Sequence, residues 1–78
     1  MKVFENEKVI NSIKKRGIIK QYLKAKENIL SGNFHAVDLK KRQPHSENIW
    51  YFRITRKYRA LAERVGDKLY VFHISDHQ

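Results

Sequence analysis

The sequence contains no cysteine, and only one proline and three glycines, in 78 residues. The absence of cysteine excludes a disulfide framework and zinc ligation by thiolates, which stabilise many chains of this size. A chain this short buries only about 60% of the surface that its unfolded form exposes, so it depends on one compact hydrophobic core. We predict a single domain over residues 1–78.

Long apolar stretches are also missing. No run approaches the roughly 20 apolar residues that a membrane-spanning helix needs, and residues 1–6 lack the apolar segment of a signal peptide. A small chain without cysteine is typical of the reducing cytosol. We therefore expect a cytoplasmic protein with no membrane partner.

Several signatures of catalytic and metal sites are absent from the sequence. It has no glycine-rich phosphate loop, no paired carboxylates and no Ser-His-Asp order. The spacing of His73, Asp76 and His77 matches no closed metal site. We predict no cofactor and no bound metal.

Acidic residues are scarce. Eight Asp and Glu stand against seventeen Lys and Arg, which gives a formal net charge of +9. Such an excess on a small surface attracts polyanions and speeds their capture. The candidate anions are nucleic acid, an acidic partner protein and phospholipid headgroups, and the alternative is that the charge only keeps the protein soluble.

The first part of the chain carries two apolar stripes with helical spacing. Val9, Ile10 and Ile13 predict a helix over about residues 5–16, with Gly17 suited to the position after its end. The second stripe ends at Ser31-Gly32-Asn33 and predicts a second helix. We interpret the two as a helical hairpin with a basic outer face. The second stripe consists of Ile19, Tyr22, Leu23, Lys26, Ile29 and Leu30.

The remaining chain is rich in aromatic and β-branched residues, which favour strands. Gly66-Asp67 predicts a two-residue hairpin turn, and residues 40–48 predict a polar loop. The fold class is therefore α+β, with the N-terminal helical hairpin packed on one face of a three- to four-stranded antiparallel sheet. The predicted strands are residues 36–39, 49–54, Tyr58–Val65 and 68–74.

One position conflicts with this scheme. Strict alternation places Arg59 on the same side of its strand as Leu61, which we interpret as a core residue. A β-bulge near Tyr58 or a strongly twisted start of the strand would resolve the conflict.

Basic residues are concentrated between positions 40 and 59, where Glu47 is the only acid. Several arginines on the open side of the sheet would bind phosphodiester oxygens and stabilise the charge that develops during cleavage. Tyr51 and Tyr58 lie among them and suit stacking on bases. The alternative is that these charges protect sheet edges from aggregation. The basic residues are Lys40, Lys41, Arg42, Arg53, Arg56, Lys57 and Arg59.

Two histidines lie near the carboxyl end. His73 and His77 have the same parity along the last predicted strand. Histidine exchanges a proton near neutral pH, so a histidine beside arginines suits acid–base cleavage of RNA. The alternative is that both are ordinary surface residues.

Residues 50–61, WYFRITRKYRAL, are followed by the Gly-Asp turn, by LYVFHI at residues 69–74 and by SDHQ at residues 75–78. This pattern resembles the RelE/ParE toxin superfamily, and it is closest to the RelE/HigB-like mRNA interferases. The resemblance covers residues 37–78. Members often end in Tyr-His, whereas this sequence ends in His77-Gln78.

The resemblance implies a microbial-ribonuclease-like fold and a toxin of a type II toxin-antitoxin system. Such a toxin cleaves mRNA in the ribosomal A site, without metal, through attack of a ribose 2′-hydroxyl. The implied partners are the ribosome, mRNA and a cognate acidic antitoxin. By position, Arg53, Arg59 and His77 would be catalytic. With the basic cluster, the residues expected to bind RNA or phosphate are Lys40, Lys41, Arg56 and Tyr51.

Two other functions remain open. ParE-like members of the superfamily inhibit DNA gyrase and are not nucleases. A basic RNA- or protein-binding module without catalysis is the other alternative. A histidine behind an arginine cluster favours the nuclease.

Overall fold

A computed structural model describes residues 1–76. Two helices pack on one face of a sheet, and the α+β class is confirmed. No helix in this part of the chain is long and apolar enough to span a membrane. The strands are β1 (Lys2–Glu5), β2 (Lys40–Lys41), β3 (Ile49–Arg53), β4 (Tyr58–Val65) and β5 (Lys68–Asp76), and the helices are α1 (Glu7–Lys15) and α2 (Ile19–Leu30).

The sheet has five strands in the order β1-β5-β4-β3-β2. Strand β1 is parallel to β5 and every other pair is antiparallel, so the sheet is mixed rather than purely antiparallel. The sequence prediction missed β1 because four residues with one buried side chain, Val3, give no readable alternation. It also missed β2, which is two residues long and consists of Lys40 and Lys41.

The strand predicted at residues 36–39 is wrong. Residues Phe34–Val37 form a 3-10 helix, and Asp38 follows in the left-handed region with φ of 50°. Asp tolerates this conformation better than most residues. Of the four residues of this helix only Val37 is buried. A single helical turn buries one side chain as well as a strand does, so the sequence does not distinguish the two.

Both helices end where the sequence predicts. Asn6 caps α1 by accepting a hydrogen bond from the Val9 amide at 2.9 Å. Gly17 and Gly32 follow the two helices with φ of 67° and 84°, a conformation that glycine adopts without strain. Only part of the predicted stripe of α2 is buried. Tyr22, Ala25 and Ile29 face the sheet, whereas Ile19, Leu23 and Leu30 are exposed.

A polar contact joins α2 to β1 at the edge of the core. The Tyr22 hydroxyl donates to Glu5 Oε2 at 2.6 Å, and Lys26 Nζ donates to Glu5 Oε1 at 2.8 Å. Burial raises the pKa of Tyr22. The hydrogen bond that Tyr22 donates to Glu5 and the negative charge of Glu5 raise it further. The phenol therefore stays protonated and available as a donor to the carboxylate.

The alternation along β4 resolves the conflict at Arg59 differently from the prediction. Ala60 and Ala62 are the core residues of this strand, and Leu61 lies on the opposite face with Arg59. The bulge is in β5 instead. Leu61 pairs with His73 and Ala62 pairs with Val71, which leaves Phe72 as the extra residue. The interpretation of Leu61 as a core residue was wrong. The side of β4 that faces the helices is occupied by Ala60 and Ala62, and Leu61 lies on the other side.

Phe52 offers a test of this core. Its side chain is fully buried beneath the helices, with its ring centroid 6.2 Å from that of Tyr22. We expect Phe52→Ala to lower the free energy of unfolding by about 3–5 kcal/mol, measured by urea denaturation. Leu23→Ala is the control, since Leu23 is 56% exposed, and should cost little. Similar losses in the two variants would contradict this packing.

Candidate functional site

The helices cover one face of the sheet, and we call the other face the open face. Partners in register point to the same side of a sheet, so the pairing defines rows of side chains across it. The first row contains Arg53, Arg59 and Ser75 on β3, β4 and β5. The second row contains Lys40, Tyr51, Leu61 and His73 on β2 to β5. Four of the predicted site residues thus share one face: Lys40, Tyr51, Arg53 and Arg59.

Arg53 is oriented by an acidic residue that the sequence analysis did not select. Its Nη1 lies 3.4 Å from Asp38 Oδ2, and about half of each side chain is exposed. An ion pair this exposed contributes little to stability. It does limit the directions that the guanidinium takes, because Asp38 is fixed by its turn after the 3-10 helix.

Arg59 lies over an aromatic ring. Its Cζ is 4.9 Å from the ring centroid of Tyr51, the diagonal neighbour on β3. Such a cation–π contact contributes about 0.5–1 kcal/mol at exposed sites. Tyr51 thereby orients Arg59, in addition to the base stacking predicted for it from the sequence.

Two predicted RNA-binding residues lie away from these rows. Arg56 is exposed in the turn between β3 and β4, where Thr55 Oγ1 accepts hydrogen bonds from the amides of Lys57 and Tyr58. Lys41 pairs with Trp50, whose side of β3 faces the helices. Adjacent residues of a strand point to opposite faces, so Lys40 lies on the open face and Lys41 on the side of the helices.

The bulge at Phe72 determines where His73 lies. Leu69, Val71 and Ile74 are buried, so the alternation along β5 shifts by one residue at the bulge. The shift brings His73 and Ser75 to the open face, with His73 opposite Leu61 and diagonal to Arg59. The sequence does carry a signal for this bulge. The apolar residues Val71 and Ile74 are three positions apart, and two core residues at that spacing break strict alternation. His77 lies outside the described residues.

The described residues also bear on metal binding. Within residues 1–76, no group of three or more His, Cys, Asp or Glu side chains is arranged to hold a metal ion. The combination of His73 and Asp76 with His77 extends beyond this range.

Comparison with known protein families and with curated proteins finds no match to this chain. The chemistry of the open face is therefore the basis for assigning a function. Two arginines on adjacent strands provide planar donors suited to phosphate oxygens. A lysine and a tyrosine extend this surface on one side, and a histidine able to exchange protons lies on the other.

Proposed function

We propose that the protein is the toxin of a type II toxin-antitoxin system, an endoribonuclease that cleaves mRNA on the ribosome and inhibits translation. The row formed by Arg53 and Arg59 on the open face carries the proposal, because it places two arginines side by side on adjacent strands, an arrangement suited to binding one phosphodiester. The resemblance of residues 37–78 to the RelE/HigB-like interferases supports the same substrate.

The proposed chemistry is transesterification within the RNA. The ribose 2′-oxygen forms a bond to the adjacent phosphorus, and the bond from phosphorus to the 5′-oxygen breaks. The products carry a 2′,3′-cyclic phosphate and a 5′-hydroxyl. Arg53 and Arg59 donate to the non-bridging oxygens, where negative charge builds up in the transition state. A histidine accepts the 2′-hydroxyl proton, and the 5′-oxygen takes up a proton from water as it leaves.

The form of the open face supports the proposed dependence on the ribosome. Its charged and polar side chains stand on a sheet, so they contact a phosphate from one side only. In-line attack requires the 2′-oxygen, the phosphorus and the leaving oxygen to be aligned, and such alignment accounts for a large part of many enzymatic rates. We propose that the ribosome holds mRNA in this geometry and that the toxin supplies the charged groups.

The charge of the protein also fits its proposed inhibitor. A net charge of +9 favours an acidic antitoxin that covers the open face. Bound in this way, the antitoxin would block the arginine row and hold the toxin inactive.

A translation assay tests this function. Purified ribosomes translating a defined mRNA should yield discrete cut transcripts when the protein is added, and the same RNA without ribosomes should be cut poorly. Primer extension locates the cuts. Intact transcripts, with DNA damage and stalled gyrase in expressing cells, would instead support a ParE-like gyrase inhibitor. Intact transcripts and unaffected gyrase would leave a binding module without catalysis.

A further inference from the structure

The open face continues past the arginine row to a group of exposed aromatic side chains on β1 and β5. Phe4 and Tyr70 are stacked, with ring centroids 5.3 Å apart and planes inclined by 19°. Phe4, Tyr70 and Phe72 are each more than 40% exposed. With Glu63 they line a groove of about 380 Å³. Aromatic rings that stay this open to water are suited to stacking on a planar ligand.

Two lysines flank the stacked rings. Lys2 and Lys68 are partners in the parallel pair of β1 and β5. Each lies two residues before an aromatic residue, Phe4 or Tyr70, and on the same face of the sheet. Both are exposed, and neither forms an ion pair within residues 1–76. Like charges directly opposite each other destabilise a sheet. A bound phosphate would relieve this repulsion, so the lysine pair favours an anionic ligand that also has a planar ring.

Glu63 is the acid on this part of the face. It pairs with Tyr70 on one side and Ile49 on the other, it is exposed, and its carboxylate has no partner within residues 1–76. A carboxylate repels phosphate but accepts hydrogen bonds from the edge of a base. Guanine presents two adjacent N–H donors on its Watson–Crick edge, N1–H and the 2-amino group, which match the two oxygens of a carboxylate.

We propose that Phe4, Tyr70 and Phe72 form a base-binding subsite for guanine in single-stranded RNA, with Glu63 reading the Watson–Crick edge and Lys2 and Lys68 holding the adjacent phosphate. The inference rests on the proposed RNA substrate. Glu63 lies four residues from Arg59 along β4, about 13 Å at the rise of a strand. One short single-stranded segment therefore reaches both the subsite and the arginine row.

Binding of fluorescein-labelled oligouridylates with one central guanosine, inosine or adenosine, followed by anisotropy at low salt, tests the subsite. The guanosine oligonucleotide should bind the wild type most tightly, about 5- to 100-fold better than the inosine one, which lacks only the 2-amino group. Glu63→Gln should remove most of this preference. Equal binding of guanosine and inosine by the wild type, or no binding of any oligonucleotide, overturns the proposal.

The stacking and phosphate contacts are tested with matched controls. Tyr70→Ala should weaken binding of the guanosine oligonucleotide about 5- to 100-fold, and Leu23→Ala on the helical face should not. The double variant of Lys2 and Lys68 to Ala should bind more weakly and with less salt dependence than the double variant of Lys15 and Lys20 to Ala, which removes the same charge. Wild-type affinity in Tyr70→Ala overturns the proposal.

The ribosome assay separates this inference from the proposed function. Normal mRNA cleavage together with unchanged oligonucleotide binding in Tyr70→Ala overturns the subsite and leaves the nuclease standing. Loss of guanosine binding in Tyr70→Ala, with no cleavage by the wild type, supports the subsite and overturns the nuclease.

Discussion

Arg59→Ala is expected to abolish toxicity and to lower the rate of ribosome-dependent mRNA cleavage about 10²- to 10³-fold, as loss of one preorganised donor to a transition state typically does. Arg59 lies between Arg53 and Ser75 in the first row of the open face, and its guanidinium is oriented over Tyr51 at 4.9 Å. The side chain removed is not part of the core, so the variant should fold. Growth on induction and primer extension measure the effect, and Arg53→Ala should have a smaller one.

Arg64→Ala is the matched control for this experiment. Arg64 lies on the same strand and stacks on an aromatic ring, with Cζ 4.8 Å from the centroid of Trp50, but it faces away from the open face. Both substitutions remove one positive charge and one cation–π contact. A similar loss of toxicity in the two variants would indicate an effect on stability or net charge. Full toxicity of a normally expressed Arg59→Ala protein would remove this residue from the proposed site.

The elements that the sequence predicted well are those specified by neighbouring residues. Apolar residues at helical spacing, with Gly17 and Gly32 after the helices, identified α1 and α2, because capping and amphipathicity act within a few residues. The turn at Gly66-Asp67 was predicted for the same reason, and Val65 and Lys68 pair across it.

The features that were missed depend on contacts between distant residues. Strand β1 exists because it pairs with β5, more than sixty positions along the chain, and its own four residues carry no comparable signal. The bulge at Phe72 depends on the register between β4 and β5. Leu61 was misassigned because hydrophobicity alone was used to choose the core residue of β4. The alanines on either side of it, Ala60 and Ala62, are the buried ones.

The candidate site was predictable in part. The resemblance to the interferases selected Arg53 and Arg59 as site residues, whereas strict alternation placed Arg59 on the side of Leu61, then interpreted as core. The pairing of β3 with β4 makes the two arginines partners in register on the open face. The role of Asp38 in orienting Arg53 depends on a 3-10 helix that the sequence analysis assigned as a strand. The aromatic groove depends on β1, and a prediction without this strand leaves Phe4 far from Tyr70.

The histidines provide the other large expected effect. We expect His77→Gln to lower the cleavage rate about 10²- to 10⁴-fold, the usual contribution of a positioned acid or base, with RNA binding retained. This expectation comes from the sequence position of His77 at the end of the resemblance to the interferases. Glutamine keeps the side chain polar and, with histidine neutral, leaves the formal charge at +9, so electrostatic attraction to RNA is preserved. Primer extension and oligonucleotide anisotropy measure cleavage and binding on the same protein.

His73→Gln is the comparison variant, because it shows which of the two histidines transfers the proton. His73 lies on the open face, diagonal to Arg59, so it is a second group that a phosphate bound by the arginine row would approach. If His77 transfers the proton, His73→Gln should retain most of the cleavage rate. If cleavage instead survives in His77→Gln and falls by the same factor in His73→Gln, the proton transfer belongs to His73. The bulge at Phe72 would then be a functional feature, because it is the shift in alternation that brings His73 to the face of the arginines.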